Sequence, residues 1–118
     1  MSDRNMLQMS KEFAVLIVKL CNKISEDNKE YILTKQLLKS GTSIGANIHE
    51  SKYAQSTADF VSKMQIALKE CYETEYWLEI LNQTNYIADE DVKTYMSKCG
   101  SIRRMLISAI NTSKEKLL

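Results

Sequence analysis

Apolar side chains recur every three or four positions along this chain, and no proline interrupts them. That is the period of an amphipathic helix, not the alternation of a strand. The clearest stretch is Phe60, Met64, Ala67, Cys71, Thr74, Leu78 and Leu81, which follows heptad spacing. Ala88, Val92, Tyr95, Cys99, Ile102, Leu106, Ala109 and Ser113 repeat it. Upstream, Met6, Met9, Phe13, Leu16, Leu20 and Ile24 make one stripe, widened by Ile17 and Cys21, and Leu33, Leu37, Gly41, Ile44 and Ile48 make another. These patterns predict helices over residues 5–25, 29–53, 56–82 and 89–116. Ser25-Glu26-Asp27-Asn28 and Gln83-Thr84-Asn85 supply breaks, Ser56-Thr57-Ala58-Asp59 resembles a capping box, and Asp89 is a candidate cap. Four such helices joined by short turns predict an all-α, antiparallel up-down-up-down four-helix bundle. Residues 1–118 fit one domain, long enough to bury a core without metal or disulfide.

The run from Lys39 to Ser51 breaks the pattern in composition while keeping its period. It holds two of the three glycines, Gly41 and Gly45, inside a predicted helix. Glycine in a helix interior loses about 1 kcal/mol against alanine, so close approach of another backbone is expected to offset it. The pair is not a phosphate loop, which needs a preceding strand and a Gly-Lys-Ser/Thr ending. Nor is it a membrane helix contact, because Lys39, Asn47 and His49 flank it. Ser43, Asn47 and Glu50 share one helical strip. They are expected to form a buried hydrogen-bond network, with a ligand contact as the alternative.

Catalytic and metal chemistry finds little to stand on. The one histidine, His49, lacks the Glu-x-x-His partner of di-iron bundles. Cys21, Cys71 and Cys99 contain no Cys-x-x-Cys pair and fall on apolar stripes, which predicts reduced core thiols in a cytoplasmic protein. Glu70, Glu73, Glu75 and Glu79 surround Tyr72, Tyr76 and Trp77 without an accompanying nucleophile, so they read as a solvated acidic face. No enzymatic activity, cofactor or metal is therefore expected. The longest apolar run, residues 13–18, is too short to span a bilayer.

Sixteen basic and fifteen acidic side chains leave a net charge of +1, which argues against a broadly basic nucleic-acid binder. The charge is uneven, however. Residues 56–85 set Lys63 and Lys69 against Asp59 and four glutamates, a net of −3. Residues 86–118 carry six basic against four acidic groups, and residues 29–55 four lysines against Glu30 and Glu50, each a net of +2. Lys35, Lys39, Lys98, Arg103 and Arg104 are the candidate contacts to a phosphate backbone. The alternative is a mixed surface that complements the third helix of a neighbouring subunit. Surplus apolar residues, Ile66, Trp77 and Ile80 on the third helix and Met96, Ile107 and Ile110 on the fourth, fit either a wide core stripe or self-association.

The string from Gln36 to Glu50, with Ser43-Ile44, Ala46-Asn47-Ile48 and Glu50 at its heart, is followed by Ile66-Ala67-Leu68-Lys69-Glu70 and Glu73-Thr74-Glu75-Tyr76-Trp77-Leu78. This pattern resembles the four-helix-bundle proteins encoded in intervening sequences of bacterial 23S rRNA genes, a family related to the accessory protein of diversity-generating retroelements. The resemblance implies a non-catalytic homo-oligomer, a pentamer, associated with structured RNA or, in the retroelement branch, with a reverse transcriptase. A protein–protein adaptor without RNA contact is the other reading. The motif residues Gly41, Ser43, Ile44, Gly45, Asn47, Ile48 and Glu50 are expected to be structural. Ser51 departs from the glycine many members carry, and the near-neutral charge departs from the basic retroelement proteins.

Overall fold

A computed structural model describes residues 5–118. Four helices account for the architecture: α1 (Met6–Asn28), α2 (Ile32–Ser51), α3 (Thr57–Gln83) and α4 (Asp89–Glu115). Consecutive helices pack along their lengths, α1 meets α4 only sparsely, and the pairs α1/α3 and α2/α4 do not meet. The section is a square with its corners in chain order, an up-down-up-down four-helix bundle.

Local chemistry fixes the helix ends. Asn5 caps α1 by accepting the Gln8 N–H at 2.8 Å. The expected break at residues 25–28 is instead the last turn of α1. The chain turns one residue later, where Lys29 takes the left-handed conformation (φ 58°) and donates to Ser25 O. Glu30 then starts α2, its carboxylate accepting the N–H groups of Ile32 (3.1 Å) and Thr34 (2.9 Å). Ser56 caps α3, accepting the Asp59 N–H at 3.0 Å, while Asp59 reaches back to the Gln55 N–H. Asp89 is not the cap of α4. It lies in the first turn and accepts from Asn82 Nδ2 at 2.8 Å, which ties the end of α3 to the start of α4.

The core holds Phe13, Ile17, Leu37, Ile44, Met64, Leu78, Leu81, Ile102 and Leu106, all essentially fully buried. Each such side chain contributes about 1.5–3 kcal/mol by leaving water. The stripes of α2 and α3 lie inward largely as their spacing predicts, with Leu33 and Phe60 at the half-buried edge. On α1 the buried line is Ser10, Phe13, Ile17, Cys21 and Ile24, while Met9, Leu16 and Leu20 stay half-buried. The reason is asymmetric packing. The glycines of α2 draw α1 in on the Ile17 side, whereas α4 hardly closes on the Leu16 side. A Cβ built on Gly41 would lie 2.8 Å from Ile17 Cγ2, and one on Gly45 3.1 Å from Ser10 Oγ and 3.4 Å from Ser10 O. Between α2 and α3, the buried hydroxyls of Ser40 and Thr74 bond at 3.0 Å and fix the helices' register.

Candidate functional site

The three thiols are free and buried. Burial pushes the Cys21 thiol up to about 12. Cys99 is raised further, first by its hydrogen bond with Cys71 and then by burial. Thiols held protonated inside a core are poor nucleophiles. His49 is exposed on α2 and packs edge-on against Tyr53 at 5.6 Å. Among the described residues no group of three or more His, Cys, Asp or Glu side chains could hold a metal ion, and no helix is long and apolar enough to cross a membrane.

Outward-facing residues form surfaces instead. On α2, Ser43 Oγ donates to Lys39 O (2.6 Å), Asn47 Nδ2 donates to Ser43 O (2.9 Å), and Glu50 pairs with Lys63 of α3 at 3.2 Å. The strip expected to be a buried network is half-buried at Ser43 and Asn47 and exposed at Glu50. Ser43 and Asn47 turn back onto their own helix, because it is the neighbouring Ser40 that meets Thr74 of α3, and Glu50 reaches out to Lys63. Gly41, Ile44, Gly45 and Ile48 of the same motif are buried.

The candidate phosphate contacts do not form one patch on a single copy. Lys35 and Lys39 lie on α2 and Lys98, Arg103 and Arg104 on α4, diagonal corners that never touch. Glu70 of α3 has a raised pKa, first from burial and then from the charge of Glu73, and the charge of Lys39 opposes that rise. Arg103 is already engaged. Its Nε donates to Glu75 at 2.9 Å, and its guanidinium lies 5.7 Å from the Tyr72 ring centroid. The hydrogen bond to Glu75 raises the Arg103 pKa. Arg104 is exposed, with Nη2 3.3 Å from Ser101 Oγ. Lys98 borders a concavity of the surface.

That concavity is the open seam between α1 and α4, a groove of about 860 Å³. Met9, Phe13, Val15, Leu16, Ile102 and Met105 form its apolar walls, with Glu12, Lys98, Ser97 and Ser101 at the rim. Stripe counting misses it, because Met9 and Leu16 read as core residues of a closed seam. Of the surplus apolar residues on α4, Ile110 belongs to the core. On α3, Ile66 remains 41% exposed and Trp77 half-buried, its Nε1 buried without a hydrogen-bond partner among the described residues.

This bundle has a known counterpart. The family model described as "23S rRNA-intervening sequence protein" matches residues 2–108. The chain belongs to that family. A crystal structure of a protein of unknown function from the S23 ribosomal protein family of Bacteroides thetaiotaomicron VPI-5482 is 49% identical, with a TM-score of 0.89. The match covers 90% of this chain and 98% of the other. No curated protein matches the chain.

Proposed function

We propose that this 23S rRNA-intervening sequence protein is a non-enzymatic scaffold that self-associates in the cytoplasm and, once assembled, holds structured RNA. The open α1–α4 seam carries the self-association. A bundle that leaves apolar walls of this extent in water has reason to cover them. The family resemblance implies a pentamer. Its relation to structured RNA is suggested by the family's description. Lys35 and Lys39 on one corner and Lys98 and Arg104 on the opposite corner are too few and too far apart on one copy to hold a phosphate backbone firmly. Repeated around an assembly, those that stay exposed become a multivalent array.

Binding of the nuclease-cleared protein to a structured rRNA hairpin across a salt series tests the RNA half. The expected affinity falls steeply with salt. Lys35→Ala and Arg104→Ala each weaken it more than Arg103→Ala, because Arg103 is spoken for by Glu75. Absence of binding at about 50 mM salt, where phosphate contacts are strong, contradicts it. The near-neutral charge and the engaged Arg103 favour a second reading, an adaptor whose partner is another protein, for which a reverse transcriptase is the retroelement-type case.

A further inference from the structure

We infer that the α2–α3 face of one copy seats on the α1–α4 groove of the next, so that copies join head to tail. This rests on the reading of the chain as self-associating and adds which surfaces meet. In the square section these two faces lie on opposite sides of the bundle. A contact between opposite faces is heterologous, and repetition closes it into a ring or extends it into a filament.

Helix contacts define the α2–α3 face. Lys63 reaches Glu50 of α2 at 3.2 Å, and Glu70 feels the charge of Lys39 of α2. Ile66 lies three residues after Lys63 and four before Glu70, on the outer edge of the same face, and is 41% exposed. Glu73 and Trp77 continue that edge. Setting identical squares side by side, opposite face to opposite face, brings α3 beside the neighbour's α4 and α2 beside its α1. The segments so matched are the acidic 56–85, net −3, and the basic 86–118, net +2.

Height agrees as well as charge. The α3–α4 hairpin sets Cys71 level with Cys99, whose Sγ lies 3.6 Å from Cys71 O, and Asn82 level with Asp89. Counting along the antiparallel pair, Glu73 stands level with Lys98 and Ile66 level with Met105. Copies standing at one height therefore present a carboxylate to the groove's rim lysine and an exposed isoleucine to its apolar wall. Glu70 and Glu73 are crowded. Partial burial, the charge of Glu73 and the hydrogen bond between the two carboxyls all raise the Glu70 pKa, which a lysine arriving from outside would relieve. A face 49 Å long and at least 22 Å wide can bury the roughly 800 Å² per partner of a stable interface.

Complementation tests the contact. Ile66→Glu spoils the ridge and leaves the groove, while Met105→Glu spoils the groove wall and leaves the ridge. With wild type assembled in light scattering, each variant, its helicity intact by circular dichroism, is expected to fall to the 13.6 kDa subunit. Mixed in equal amounts, they are expected to form a complex of two subunits only, because each brings one working face. Should Met105→Glu fail to fold, Lys98→Glu and Glu73→Lys replace the pair: each lowers the mass alone, and both in one chain restore it. Variants that remain assembled, or monomeric variants that do not complement, overturn this contact while leaving self-association standing. A monomeric wild type overturns the self-association beneath it.

Discussion

Gly41 and Gly45 make room for different things. Gly41 accommodates the β-branched side chain of Ile17, which is fully buried and stiff, whereas Gly45 lets α1 approach to the backbone of Ser10. That the two glycines mark a tight helix contact was readable from their spacing inside an apolar period. Which helix they meet was not, because spacing within one helix carries no information about its neighbour. Gly41→Leu is expected to lower stability by about 3 kcal/mol through overpacking, even though leucine is the better helix former. Gly100 is the internal control. A Cβ there meets the end of the exposed Arg104 side chain at 3.2 Å, which can move aside, and the Arg103 guanidinium at 3.4 Å, an ordinary van der Waals contact. Gly100→Ala is therefore expected to gain about 0.5–1 kcal/mol from helix propensity. Thermal or urea unfolding of both variants checks the opposite signs.

At the scale of elements, the heptad steps on α3 and the glycine stripe on α2 located the buried faces, since each of those helices has neighbours along both flanks. The stripe on α1 pointed partly the wrong way. Met9, Leu16 and Leu20 are as apolar as Ile17 and Cys21, and only the one-sided packing of α1 decides between them. The start of α2 shows another limit. Ser25 to Asn28 are good capping residues, yet Glu30 supplies the cap because Lys29 turns left-handed and redirects the chain. Partial burial of Glu30 works to raise its pKa, but bonds from the N–H groups of Thr34, Leu33 and Ile32 outweigh it, and the net direction is down. A carboxyl lowered in the folded state contributes stability above its unfolded pKa and loses it as pH falls through the lowered folded value. Glu30→Ala is expected to lose about 1 kcal/mol at neutral pH, as for other helix caps. The difference from wild type should shrink as pH falls below the ordinary glutamate value of about 4.3. Denaturant midpoints of the two proteins across that range test it, and a pH-independent difference would assign Glu30 a packing role instead.

For the whole molecule, four helices and their order were readable because each stripe is long and each break polar. The groove was not, since closure of the fourth seam depends on how far α1 is drawn toward α2, a property of the pair Gly41–Ile17 rather than of α1 or α4. The division of the basic residues between opposite corners was hidden for the same reason. Charge can be summed along a segment, but only the square arrangement shows that α2 and α4 never meet. Both features underlie the proposed assembly, in which the open seam is covered and the exposed basic residues are repeated.

The most direct measurement is the mass of the full-length wild-type protein in solution, by light scattering on a nuclease-treated sample at micromolar concentration. The expected result is a discrete multiple of 13.6 kDa that persists on dilution through the low micromolar range. A single species of 13.6 kDa would mean that the α1–α4 groove stays open to water, and would contradict the scaffold at its foundation.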